Sequence, residues 1–249
     1  MNYEYSACSA KPRLLILLTD ELEESVKVVN SIIDRIIEAN YDGESPKNRF
    51  FIIVIGYNQE THIMLSGFLR ELDEHPIRIN TEKVNVSDGA GGVVSIKRHI
   101  PIWIDSQRNQ PDISFYPRAI CLTRELVKKW LNDKKVPAPI VIDCSNEAYV
   151  EYAISEIEGL MKIPSRDGLT LFFGTYSNEK KDIPNVFSKM PEAWEYRFYN
   201  QDIKESEYCD GVLNRNRIID IVSALTYVGG EPAIPDLIDK NESKSIYNT

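Results

Sequence analysis

Four stretches of this chain are almost continuously apolar: "RLLILLT" at 13–19, "RFFIIVIGYN" at 49–58, "PIVIDC" at 139–144 and "LTLFFGTY" from 169. Each has the length of a strand and no alternation of polar with apolar residues, which is the pattern of a strand covered on both faces. Between them the period changes to that of a helix. In "ELEESVKVVNSIIDRIIEAN" the residues Leu22, Val26, Val29, Ile32, Ile33, Ile36 and Ile37 form one stripe opposite Glu23, Lys27, Asp34 and Glu38. Asn40 and Gly43 are expected to end that helix.

Pro117 opens a second helix through "PRAICLTRELVKKWLND", turning Ala119, Ile120, Val127, Trp130 and Leu131 inward, because proline in the first turn forfeits no helical hydrogen bond. "EAYVEYAISEIEGLMKI" predicts a third helix through Val150, Ala153, Ile154, Ile157, Leu160 and Met161, and "NRIIDIVSALTYVGG" a last one stopped by Gly229 and Gly230. Buried strands alternating with amphipathic helices predict a doubly wound, mostly parallel, Rossmann-like α/β sheet with helices on both faces. The middle, 59–110, is less regular: "HIMLSGFLREL", "KVNVSDGAGGVVSIKR" and "IPIWID" read as short strands and turns. "SDGAGG" carries the glycines of a hairpin turn, since it leads into a strand and not into the helix a phosphate loop needs.

Nothing in the middle resembles a linker, so one domain is expected at 12–230, with a tail at 1–11 and a polar tail at 231–249. The formal charge of −9 and the absence of a basic concentration argue against a nucleic-acid partner. With no signal-peptide pattern and no long apolar run, a cytoplasmic protein without a membrane partner is expected. Cys8, Cys121, Cys144 and Cys209 are widely spaced and read as reduced thiols.

In a parallel sheet the functional crevice lies beyond the carboxyl ends of the strands. That directs attention to Asp20, the loop around Ser114, Ser145 with Asn146, and 175–177. The run "LLILLTDELEES" delivers Asp20 to the end of a strand and continues through Leu22 and Glu24. In this arrangement, and in "VIGYN", Gly67-Phe68, Trp130, "APIVIDCSNE", "RDGLTLFF" and "MPEAWEYRFY", the chain resembles a von Willebrand factor A domain of the soluble bacterial kind. In that family Asp-x-Ser-x-Ser, a Thr before a helix and a Thr-Asp-Gly hold a divalent cation at the metal-ion-dependent adhesion site. The resemblance puts Asp20 at the first acid, Leu22 and Glu24 at the two serines, Ser114 at the threonine, and Ser145, Asn146 and Glu147 at Thr-Asp-Gly.

A hard cation takes compact oxygen donors, so Leu22 supplies none and Glu24 a longer, charged one. The resemblance therefore implies a degenerate site of Asp20, Glu24, Ser114 and Asn146, empty or holding Mg²⁺ or Mn²⁺ weakly. These residues equally suit plain caps for helix amino termini and loop amides. The function implied is a non-enzymatic module that binds another protein, in bacterial settings that include kinase–phosphatase and stress-response systems. The alternative is a metal-assisted hydrolase or phosphotransfer enzyme using Asp20 and Glu24. An aspartyl-phosphate mechanism fails because its second acid would have to be Leu22, and His62, His75 and His99 accompany no nucleophile motif.

Overall fold

The computed structural model describes residues 11–87, 89, 92–107, 110–132, 136–145, 149–175 and 187–188. Its elements in chain order are β1 (Arg13–Thr19), α1 (Glu23–Ala39), β2 (Tyr41–Asp42), β3 (Ser45–Pro46), β4 (Phe50–Gly56), β5 (His62–Phe68), α2 (Leu69–Glu74), β6 (Arg78–Ser87), β7 (Val93–Ile102), α3 (Tyr116–Leu131), β8 (Ile140–Asp143), α4 (Ile154–Met161) and β9 (Leu171–Gly174). The main sheet has the order β5-β4-β1-β8-β9. The pairs β1–β4, β1–β8 and β8–β9 are parallel, and β5 joins the edge antiparallel to β4. The fold is thus mixed α/β with a mostly parallel five-stranded sheet, and all four apolar runs are strands in it.

Alternate residues of each strand enter different cores. Leu15, Leu17, Ile52, Val54, Ile140, Ile142 and Phe173 pack with Val29, Ile32, Ile33 and Ile36 of α1 and Leu69 and Leu72 of α2. Leu14, Ile16, Leu18, Ile53, Ile55, Val141 and Phe172 pack with Ala119, Ile120 and Val127 of α3 and Ile157 and Leu160 of α4. Burial on both sides is why these strands show no polar alternation.

Three expectations change in detail. "HIMLSGFLREL" is one strand followed by the short helix α2, whose Glu71 carboxylate accepts the Phe68 N–H at 2.9 Å. The helix predicted through Val150 to Met161 is broken: a 3-10 turn spans Val150–Tyr152, Ala153 leaves the helical region at φ −144°, and α4 starts at Ile154. That break shifts the phase, so Ile154 is exposed although the uninterrupted period places it inward. Trp130 and Leu131, at the end of α3, pack only partly buried against the core that Val127 enters fully. The helix expected over 216–230, the stretch "MPEAWEYRFY", most of the tail at 1–11, the tail at 231–249, Cys8 and Cys209 lie outside the described residues.

β6 and β7 form the predicted hairpin, a separate two-stranded ribbon running from the pair Arg78–Ile102 to the pair Ser87–Val93. Gly89 in its turn takes φ +77°, a conformation glycine adopts without a side-chain clash. The ribbon's root is tied to α1 by Asn30. Its side-chain oxygen accepts the N–H groups of Trp103 and Ile104 at 2.9 and 3.2 Å, and its amide donates to the Ile104 carbonyl at 3.0 Å. Among the described residues no helix is long and apolar enough to cross a membrane.

Candidate functional site

The carboxyl ends of β1, β4, β8 and β9 share one rim, and the chain bends sharply where β1 reaches it. Thr19 Oγ1 accepts the Glu21 N–H at 3.1 Å, and Asp20 Oδ1 accepts the Leu22 N–H at 3.1 Å. Between these two turns Glu21 adopts φ +62°, alone among the non-glycine residues described. A side chain in this left-handed region costs roughly 1–2 kcal/mol, and such a residue persists only where its surroundings hold it.

Glu21 is held on every side. Its carbonyl accepts the Gln107 N–H at 2.8 Å, and its Oε1 accepts the Asn58 N–H at 3.0 Å. Oε1 also lies 3.9 Å from His62 Nδ1. Beneath it is Gly56, where an added Cβ would come within 2.6 Å of Oε1. Burial pushes the Glu21 carboxyl above the usual range; the Asn58 N–H and His62 pull it back, while Glu60 and Asp20 add to the rise.

Asn58 then connects this bend to the loop before α3. Its side-chain amide donates to the Asp20 carbonyl at 3.1 Å, and its own carbonyl accepts the Asp112 N–H at 2.9 Å. Asp112 in turn accepts the Ser114 N–H at 2.9 Å. The Ser114 N–H and hydroxyl hold the Asp112 carboxyl below the ordinary carboxylate range.

A second polar cluster sits at the end of β8. Asp143 is fully buried; its Oδ2 accepts the Tyr116 hydroxyl at 2.9 Å, and its Oδ1 accepts the Ser145 N–H at 3.0 Å together with the Ser145 hydroxyl. Tyr57 extends the network through its hydroxyl, which hydrogen-bonds Ser145 Oγ. The rings of Tyr57, Tyr116 and Tyr149 enclose it, with centroids 5.2 to 6.3 Å apart. Thr175, just beyond β9, donates its N–H to the Asp143 carbonyl at 2.8 Å. A carboxylate removed from water is thereby matched with neutral donors, as burial requires.

The residues expected from sequence have different fates. Asp20 is fully buried, with Oδ1 capping the bend. Glu24 projects from the first turn of α1 with its carboxylate 3.1 Å from Lys27 Nζ, in the solvent. Ser114 is exposed and bonded to Asp112, while Asn146 lies outside the described residues. Asp20 and Ser114 reach the same rim through Asn58; Glu24 is turned to Lys27. Of the positions the resemblance assigns, Asp20 uses one oxygen on a backbone N–H, Leu22 offers no oxygen, Glu24 is turned to Lys27 and Ser114 is bonded to Asp112, whereas a hard divalent cation takes compact oxygen donors. Among the described residues no cluster of three or more His, Cys, Asp or Glu has metal-binding geometry.

Beside the rim, Thr61, Pro117, Arg118, Cys121, Leu122 and Glu125 line an open groove of about 390 Å³. Sequence reasoning did not single out Glu21, Asp143, Tyr57 or Tyr116 for the site. An acid ending the run "PIVID" was the available signal for Asp143; Glu21 offered none. Among known proteins, no family model matches this chain and no curated protein matches it.

Proposed function

We propose that this chain is a non-enzymatic recognition module of doubly wound, von Willebrand factor A-like arrangement that binds another protein through its carboxyl-end rim, its cation site having degenerated. The carrying observation is the hydrogen-bond chain through Asn58, which joins the Asp20 bend to the Ser114 loop. Those are two of the segments that the resemblance assigns to ligand recognition. Further support comes from where the rim's acids are spent. Asp20 caps a backbone N–H, Asp143 accepts from the Tyr116 and Ser145 hydroxyls, Glu21 accepts the Asn58 N–H and Glu24 pairs with Lys27, so each of these acids already serves a neighbour within the fold. The exposed Ser114 loop and the adjoining groove supply surface for a partner. A bacterial kinase–phosphatase or stress-response assembly is the setting the resemblance suggests.

Affinity capture from the native cell with the full chain tests this reading. A partner retained by wild type and by Glu158→Arg, a control on α4, but lost with Ser114→Arg, is the expected result, and chelation leaves it unchanged. Isothermal titration with Mg²⁺ and Mn²⁺ is expected to give no heat. Tight binding or metal-dependent hydrolysis that disappears in Asp20→Ala would establish the enzymatic alternative instead.

A further inference from the structure

His62 carries a buried polar atom whose needs the fold leaves unmet. Its Nδ1 has no hydrogen-bond partner and stands 3.9 Å from Glu21 Oε1, too far for a hydrogen bond. The Glu21 carboxylate is poorly matched in turn. Its side chain is 1% exposed, it accepts one backbone N–H from Asn58, and among the described residues no lysine or arginine pairs with it. A carboxylate removed from water needs a cation or several donors. A third group converges on the same place. His62 pairs with Gly56 across β4 and β5, so both face the side that Glu21 covers, and Met64 follows two positions along β5. A register shift at Val54 and Ile55 leaves Met64 without a paired residue, the kind of irregularity that re-aims a side chain. The place a Cβ on Gly56 would take is 2.6 Å from Glu21 Oε1 and 2.9 Å from Met64 Sδ. Only a residue without a side chain lets carboxylate and thioether meet there.

We infer that Glu21, His62 and Met64 form a binding site for a late first-row transition-metal ion, copper above zinc. Ligands that each stand about 2.0–2.2 Å from one ion lie roughly 3–4 Å apart, which is the separation of His62 Nδ1 from Glu21 Oε1. The ion supplies the positive charge that the buried carboxylate lacks and takes up the unmet Nδ1. Imidazole and carboxylate suit zinc and copper alike; the soft thioether adds a preference for copper, which also binds such donors most tightly among divalent first-row ions. Mg²⁺ and Mn²⁺ prefer oxygen donors, so this site is compatible with the loss of a hard-cation site at Asp20. With one carboxylate, one imidazole and one thioether, it differs from the cluster of three or more His, Cys, Asp or Glu that the described residues lack. A bound ion would fasten the bend after β1 to the edge strand β5. Partner capture reads the Ser114 loop, which these donors do not touch, so that reading and this one fail separately.

Calorimetric titration of the full chain with Cu²⁺ and Zn²⁺ tests this, with one equivalent of either ion bound and copper the tighter. His62→Ala, on a partly exposed ring of an edge strand, is expected to weaken both by at least the roughly 10–100-fold that losing even an outer partner of a ligand causes. Met64→Leu keeps the volume and removes the sulfur, so it weakens copper more than zinc. Glu21→Gln keeps an acceptor for the Asn58 N–H, removes the charge and weakens both; should it fail to fold, the other two variants still decide. His75→Ala and His99→Ala leave both affinities unchanged. Nitrogen hyperfine structure in the Cu²⁺ electron paramagnetic resonance spectrum, lost in His62→Ala, separates coordination from a change of fold. Absence of binding by either ion overturns the proposal, as does copper affinity indifferent to His62→Ala or to Met64→Leu. Binding abolished by alkylating the thiols would assign the ion to cysteines, which also overturns it.

Discussion

Replacing Gly56 by alanine tests whether the Glu21 carboxylate is locked in place. The new Cβ would stand 2.6 Å from Glu21 Oε1, 2.8 Å from its Cδ and 2.9 Å from Met64 Sδ, all shorter than real contacts allow. Met64 ends in a flexible thioether and can turn aside. Glu21 cannot move without releasing the Asn58 N–H, a buried hydrogen bond to a charged group worth about 1.5–3 kcal/mol. Overpacking without that loss would cost about 1–3 kcal/mol. Gly56→Ala is therefore expected to destabilise the protein by about 2–3 kcal/mol. In a Glu21→Ala background the same change meets only Met64 and should cost less than about 1 kcal/mol, a coupling of roughly 2 kcal/mol. Urea unfolding of the four proteins of the cycle, at constant m-value, measures it. Equal costs in the two backgrounds would refute the claim that the carboxylate is fixed.

Asn30→Ala strips partners from two buried N–H groups and one carbonyl; at about 1–3 kcal/mol per orphaned group, less about 0.5 for better helix propensity, the loss by chemical denaturation should be about 3 kcal/mol or more. Tyr116→Phe removes the hydroxyl from buried Asp143 and should cost about 1.5–3 kcal/mol in the same assay, with near-ultraviolet circular dichroism reporting loosened packing of the tyrosine cage. Burial, with Glu38 nearby, raises the Asp34 carboxyl to about 6 against Arg35 and Arg98. The folded protein therefore holds that proton more tightly than the unfolded chain. Its contribution is complete below the unfolded value near 3.8 and is lost as pH rises through about 6, so Asp34→Asn should flatten stability against pH across that window.

The sheet was legible because its strands are covered on both faces, leaving uninterrupted runs such as Leu14 to Leu18 that are too short for a buried helix and lack the alternation of a half-exposed strand. The hairpin was legible from its glycines. The short helix α2 was not, since six residues hold under two turns and show no period. Neither was the break at Ala153, because alanine gives no local sign of leaving a helix. For the site, Asp20 and Ser114 could be placed at the rim from strand ends and a helix start. Glu21 could not be found that way, as its left-handed backbone is imposed by Asn58 and Gln107, residues distant in sequence. The same is true of Asp143, whose donor Tyr116 stands 27 positions away and whose neighbour Ser145 reaches Tyr57 across 88.

Asn30 lies mid-way along a helix whose first turn begins where the Asp20 bend ends, and whose seventeen residues make a rod about 26 Å long. The arm formed by β6 and β7 is fastened to that shaft by three hydrogen bonds from a single amide. Leverage applied to the arm must either tip the shaft or tear the fastening. Whatever grips the hairpin is thereby mechanically linked to the loop that starts the helix.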